Sequence, residues 1–100
     1  MTSDPPEEVI LRYEMGFTPA EFHRLLPAVA DVEFNPTTNE FLHMAGKKSW
    51  TLRLIDPRER RIATLRLPVI DVVFTFRGYS KGELDAVIDC FFTYFRRGGG

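Results

Sequence analysis

Residues 78–95 read GYSKGELDAVIDCFFTYF and decide much of the fold. Ser80, followed three positions later by Glu83, forms a capping box, in which two side chains satisfy free backbone N–H groups at a helix start. From Leu84 onward an apolar residue returns every three or four positions, which predicts a helix of about three turns with one continuous apolar face. The apolar face consists of Leu84, Val87, Ile88, Phe91, Phe92 and Phe95.

Residues 16–22, GFTPAEF, repeat this kind of helix start. Thr18 is the predicted N-cap, Pro19 suits the first helical position, and Glu21 completes a second capping box. Both starts follow directly on a segment in which apolar and polar residues alternate. We therefore expect both helices to leave their strands by the same sharp corner and to lie on the same side of one sheet.

The remaining chain shows the two-residue alternation of strands. Residues 56–61, DPRERR, are interpreted as a charged turn at a hairpin tip. A parallel sheet needs long crossover connections, and no helix fits between residues 31 and 77, so neighbouring strands are predicted to be antiparallel. The predicted strands cover residues 9–15, 32–35, 41–45, 50–54, 63–67 and 70–76.

These elements predict an α+β fold of order β-α-β4(5)-α, a curved antiparallel sheet with two helices packed on one face. One domain is expected over residues 9–97, with flexible tails at residues 1–8 and 98–100. The element order resembles that of TATA-box-binding-protein-like domains, of helix-grip ligand-binding domains and of small uncharacterised bacterial domains. That resemblance implies an architecture and no particular activity.

Composition restricts the classes of partner. Thirteen Lys and Arg against fourteen Asp and Glu give a net charge of −1 over 100 residues. Such a balance provides no overall field for nucleic acid or an anionic membrane, so neither partner is expected. No apolar run approaches the length of a bilayer span, and one cysteine fits a reducing compartment. The predicted location is the cytoplasm.

The sheet face away from the helices is predicted to be rich in Arg and Thr. Guanidinium groups bind carboxylates and phosphates well, so this face could bind an anion. It fits equally well as a solvated surface with cross-strand ion pairs. The anion-binding candidates are Arg12, Arg53, Arg66 and Arg77.

No residue pattern indicates catalysis, a metal site or a cofactor. His43 beside Asp71 would form an acid–base pair, but a single strand histidine is more often structural. Cys90, next to Asp89 in the middle of a helix, fits a small buried hydrophobe better than a nucleophile. We therefore lean towards a chain that is not an enzyme.

Thirteen aromatic residues lead to two functional hypotheses. The first is a protein-interaction module, most naturally a homodimer. The apolar face of the C-terminal helix is too wide to be covered by one flat sheet, so Phe92 and Phe95 are interface candidates. The second is a small-molecule-binding domain with an aromatic pocket between the sheet and the last helix. Its pocket candidates are Tyr13, His43, Trp50, Phe74, Phe76 and Phe91.

Overall fold

The computed structural model describes residues 8–98. Its elements in chain order are β1 (Glu8–Met15), α1 (Pro19–Val29), β2 (Glu33–Asn35), β3 (Glu40–Ala45), β4 (Lys48–Ile62), β5 (Leu65–Arg77) and α2 (Lys81–Gly98). Strand β1 and helix α2 each extend one residue beyond the predicted domain of residues 9–97. The rest of the two predicted tails, residues 1–7 and 99–100, lies outside the described residues.

All five strands form one open antiparallel sheet in the order β1-β5-β4-β3-β2. Strands β2 to β5 follow one another as a meander, and β1 is added at the far side of β5. The predicted α+β class and β-α-β4-α order are confirmed. Strand β1 forms one edge of the sheet, and the three-residue β2 forms the other.

Both capping boxes are present. The backbone N–H of Glu21 donates to Thr18 Oγ1 at 3.3 Å, while Thr18 N–H donates to Glu21 Oε1 at 2.8 Å. At α2, Ser80 N–H donates to Glu83 Oε1 at 2.9 Å, and Glu83 N–H donates to Ser80 Oγ at 3.2 Å. These bonds replace water at backbone donors that no helical carbonyl can reach.

The two helices lie on the same face of the sheet, as predicted, and share one core. The ring of Phe22 in α1 lies 4.9 Å from that of Phe95 in α2, centroid to centroid, and Phe91 lies 5.0 Å from Phe74 of β5. Phe22, Phe74 and Phe91 have no exposed surface. Burying such a ring stabilises the fold by about 1.5–3 kcal/mol.

The two corners into the helices differ, contrary to the expectation that they would match. Gly78, before α2, has φ +81°, and a Cβ there would lie 3.3 Å from the carbonyl oxygen of Lys47. Gly16, before α1, is outside the left-handed region of φ. A similar residue pattern therefore produces the same capping contacts from two different backbone turns.

The prediction of a turn at residues 56–61 is wrong. Strand β4 continues through this segment, and the chain reverses only at Ala63 and Thr64. Between the pairs Ile55–Asp71 and Arg58–Val69, two residues of β4 oppose one of β5, which is a β-bulge with Asp56 at φ +54°. An Asp that tolerates positive φ followed by Pro suits a bulge as well as a turn.

Beyond the bulge, residues 57–68 form a two-stranded ribbon that we call the arm. Every residue from 59 to 67 is exposed. Strand β1 ends opposite Ile70, and β3 pairs with β4 only as far as Arg53, so neither neighbouring strand accompanies the arm. The separate strands predicted at residues 63–67 and 70–76 are instead one strand, β5, with Thr64 in the turn.

Candidate functional site

Strand β1 presents an unpaired edge. Among residues 8–98 it pairs with β5 alone, along its full length from Glu8–Arg77 to Met15–Ile70, so its other side offers backbone donors and acceptors that no described strand binds. Two apolar side chains near its start remain exposed, Val9 at 37% and Ile10 at 62%. An edge of this length with exposed apolar residues is suited to pairing with another strand.

An open groove of about 520 Å³ lies between β1 and α2. Its walls are mainly apolar, and its rim carries Lys81 and Asp85, whose side chains form an ion pair at 2.8 Å. The groove is lined on one side by Val9, Leu11 and Tyr13 and on the other by Tyr79, Leu84 and Ile88. It therefore continues the apolar character of the β1 edge towards the helix.

An ion pair ties the start of α2 to the sheet. Lys48 Nζ of β4 lies 2.8 Å from Glu83 Oε2 and 5.2 Å from the centre of the Tyr79 ring. The hydrogen bond from Lys48, followed by the two bonds to Ser80, lowers the pKa of the Glu83 carboxyl from 4.5 to about 2. Glu83 thus caps the helix and anchors it, and both roles need the ionised carboxylate.

The four anion-binding candidates are not brought together. Arg12 and Arg53 lie on either side of Val73 in one cross-strand row, and Arg53 also donates to the carbonyl oxygen of Thr38 at 3.3 Å. Arg77 bonds Glu8 at 2.8 Å. Arg66 lies far along the arm, directly opposite Arg61. Their spacing follows the sheet register and does not converge on one point.

The strongest charge cluster on the described surface joins the arm to the sheet. Glu14 and Asp71 are directly opposite each other on β1 and β5, so their carboxylates repel each other. Arg58 Nη2 lies 2.9 Å from Glu14 Oε2 and 3.4 Å from Asp71 Oδ1, and Arg60 reaches Glu14 Oε1 at 3.2 Å. Because the bulge changes the register, these two arginines turn to the outer face, opposite to the face that Leu54 occupies.

The outer face of the arm carries three exposed apolar side chains beside Arg60. Ile62 pairs with Leu65, and Leu67 lies opposite Arg60, so these apolar side chains share a face. Their exposed fractions are 51% for Ile62, 60% for Leu65 and 41% for Leu67. A two-stranded ribbon alone is marginally stable in water, and no other described element covers these three side chains.

The six pocket candidates separate into three groups. Phe74, Phe76 and Phe91 are fully buried and fill the core, so they line no pocket. Tyr13 lines the groove beside β1. His43 and Trp50 line a different opening, a cleft of about 360 Å³ between the two helices.

The two interface candidates also separate. Phe95 is 1% exposed, because Phe17 of the α1 corner and Phe22 cover it. It is therefore not on the surface, contrary to the expectation. Phe92 is half-buried, with its ring 5.1 Å from that of Tyr13 on β1. Helix α1 and the corner before it thus cover part of the aromatic face of α2, which the sequence analysis compared with the sheet alone.

The considered acid–base pair of His43 and Asp71 does not form. His43 Nδ1 lies 2.7 Å from the backbone oxygen of Asp31, whereas Asp71 lies on the outer face beside Arg58. Among residues 8–98, no group of three or more His, Cys, Asp or Glu side chains is placed to hold a metal ion. Neither described helix combines the length and apolar character that a bilayer span requires.

Sequence reasoning missed two features of these sites. Tyr79 lines both the groove and the cleft, although in the sequence it serves only as the residue before a cap. Cys90 also lines the cleft and is half-buried. The glycine at position 78 was a signal for the corner that turns Tyr79 inward. The sequence contains no comparable signal for the approach of α1 to α2, which forms the cleft.

Comparison with known proteins adds no family. No family model matches the chain, and neither a curated protein nor a solved structure shows detectable similarity to it.

Proposed function

We propose that this domain is a protein-interaction module that self-associates through the β1 edge. The observation that carries the proposal is the unpaired edge itself, where Val9 and Ile10 remain exposed beside an apolar groove. A second β1 strand would satisfy the free backbone groups and cover these side chains at the same time.

The sequence of β1 is complementary to itself in an antiparallel register centred on Ile10. When two copies pair with Ile10 at the centre, Glu8 lies opposite the partner's Arg12, and Val9 lies opposite the partner's Leu11. Each of these two contacts occurs twice across the two-fold axis, as an isologous interface requires. Within the described residues, Arg12 forms no ion pair, so it is open to this contact.

Other centres of pairing either bring like charges together or use a charge that is already paired. A centre at Leu11 places Glu8 opposite the partner's Glu14, and a centre at Arg12 places two arginines opposite each other. Direct cross-strand charge pairs contribute about 0.2–1 kcal/mol each, favourable or unfavourable according to sign. A centre at Tyr13 would place Arg12 opposite the partner's Glu14, but Glu14 is already paired with two arginines of the arm. The charges therefore favour the Ile10-centred register and a ten-stranded continuous sheet.

A second copy of the chain fits better than a small ligand at this edge. The groove is open along the strand, and its Val9 and Leu11 walls are also edge residues. An antiparallel partner brings its own Val9 and Leu11 to the same place and extends the apolar surface. Backbone pairing along β1 adds hydrogen bonds that a small molecule cannot supply.

Sedimentation equilibrium of Ile10→Lys tests the proposal. A lysine at the centre of the pairing places two charges against each other, so the wild-type protein should sediment at twice 11.5 kDa and the variant at 11.5 kDa. Met44→Lys is the matched control, because Met44 lies on the same outer face and is 63% exposed against 62% for Ile10.

The control should remain dimeric. A wild-type monomer at about 100 μM, where contacts of even modest affinity are populated, would contradict the proposal. Equal dissociation of the Ile10→Lys and Met44→Lys variants would also contradict it, because it would place the interface away from β1.

A further inference from the structure

A cleft of about 360 Å³ opens where the end of α1, the β3–β4 hairpin and α2 approach one another. It lies on the helix side of the sheet, and β3 rather than β1 contributes to it. Its lining includes Val29, His43, Trp50, Tyr79, Val87 and Cys90. The volume falls within the range of about 300–1,000 Å³ that small-molecule sites occupy.

Trp50 forms the rigid floor of the cleft. It is 1% exposed and packs against Phe74 and Phe76, with ring centroids 5.7 and 6.4 Å away. The His43 ring lies 5.4 Å from it on the strand opposite. Because so little of Trp50 is accessible, a ligand would mainly contact the half-buried Val29, Val87 and Cys90, whose apolar side chains favour an apolar body.

His43 provides a defined hydrogen-bond acceptor. Its Nδ1 lies 2.7 Å from the backbone oxygen of Asp31. A carbonyl oxygen only accepts, so Nδ1 carries the proton and donates it. In the neutral imidazole the other nitrogen, Nε2, then has a lone pair and accepts.

The lining of the cleft contains no carboxylate and no Lys or Arg side chain. Lys48, whose Nζ lies 5.2 Å from the centre of the Tyr79 ring, is paired with Glu83 at the cap of α2. A charged ligand would find no partner among these lining residues, and burial of an unpaired charge is costly. The chemistry of the lining therefore selects a neutral molecule.

We infer that this cleft binds a small neutral, largely apolar molecule that carries a hydroxyl or N–H donor. Its apolar part contacts Val29 and Val87, and the donor bonds Nε2 of His43. This binding site is separate from the proposed self-association, which uses the β1 edge. Either function can therefore be tested without the other.

The chain offers two single-residue probes, because it contains one Trp and one Cys, and both line the cleft. Phenol is the test probe, and toluene, which has a similar size but lacks the donor, is its control. Phenol should shift the one indole N–H peak in a proton–nitrogen NMR spectrum at about three- to tenfold lower concentration than toluene, the value of one hydrogen bond. It should also slow alkylation of Cys90.

His43→Phe keeps an aromatic ring beside Trp50 and removes the acceptor, so it should abolish the advantage of phenol over toluene. His23→Phe is the matched control, since His23 packs against Phe34 and Phe41 outside the cleft, and it should preserve that advantage.

Two results would overturn the inference. One is a wild-type protein in which phenol neither shifts the indole peak nor protects Cys90, a comparison that needs no variant to fold. The other is an equal response to phenol and toluene, which would show that His43 contributes no hydrogen bond.

Discussion

Phe91 is the residue on which the core depends most. Its ring lies 4.3 Å from that of Phe95, 5.0 Å from Phe74 and 6.4 Å from Phe22, so it joins both helices to the sheet. Because it is completely buried, its removal leaves a cavity bounded by rigid rings.

Phe91→Ala should therefore lower the free energy of unfolding by about 3–5 kcal/mol. Tyr94→Ala, on the same helix but 40% exposed, should change it by less than about 0.5 kcal/mol. Urea denaturation followed by circular dichroism measures both values. Similar losses in the two variants would mean that α2 does not face the sheet through Phe91.

Glu83 couples stability to acid pH. Its folded pKa of about 2 is below its ordinary 4.5, so the folded protein binds fewer protons than the unfolded chain between these values. The stabilisation is complete above the unfolded pKa, and it is lost as the pH falls through the folded pKa.

Glu83→Gln should consequently be less stable than the wild type at neutral pH, and the difference should shrink steadily as the pH falls from about 5 to about 2. Thermal unfolding of both proteins across this range measures it. Lys48→Met, which removes the main cause of the low pKa, should move the loss of stability to higher pH. A difference between wild type and Glu83→Gln that does not vary with pH would contradict this role.

At the scale of elements, the arm contains a strained turn. Ala63 has φ +55°, a conformation that costs an L-residue with a Cβ roughly 1 kcal/mol and costs glycine little. Ala63→Gly should thus stabilise the turn slightly, and hydrogen exchange of the arm amides, which measures this, should become slower. Ala45→Gly, at an exposed strand position without positive φ, should lower stability. Destabilisation of the arm by Ala63→Gly would contradict the turn geometry.

The sequence predicts the helices better than the strands. Thr18, Glu21, Ser80 and Glu83 lie within three residues of their capping partners, so local spacing suffices to find both helix starts. The bulge at Asp56 could not be distinguished from a turn, because Asp-Pro and a run of charges suit both. The pairing of Arg58 with Val69 distinguishes the bulge from a turn, and this pairing forms only in the folded sheet.

The candidate sites were harder to predict for the same reason. His43 contacts Asp31, twelve residues away, and the cleft beside it requires α1 and α2 to approach from opposite ends of the chain. Trp50 and His43 were predicted to share a pocket, and both line the cleft. Phe74, Phe76 and Phe91 were wrongly assigned to that pocket. Periodicity shows which face of an element points inward, but it does not show whether other side chains fill the space beside that face.

At the scale of the whole molecule, one face of the sheet carries the helices while the outer face, the β1 edge and the arm remain uncovered. The self-pairing of β1 that we propose would cover the edge, and its charge pairs would fix the register of the two strands. The exposed ion pair between Glu8 and Arg77 contributes little, so Glu8 can be changed at small cost to the fold.

The most direct measurement is a mixing experiment with Glu8→Arg and Arg12→Glu. Each variant alone places like charges opposite each other in the Ile10-centred register, and the mixture restores two opposite-charge pairs. We predict that each variant sediments as an 11.5 kDa monomer and that an equimolar mixture sediments at twice that mass. A mixture that remains monomeric, while the wild-type protein is dimeric, would contradict pairing through β1 in this register.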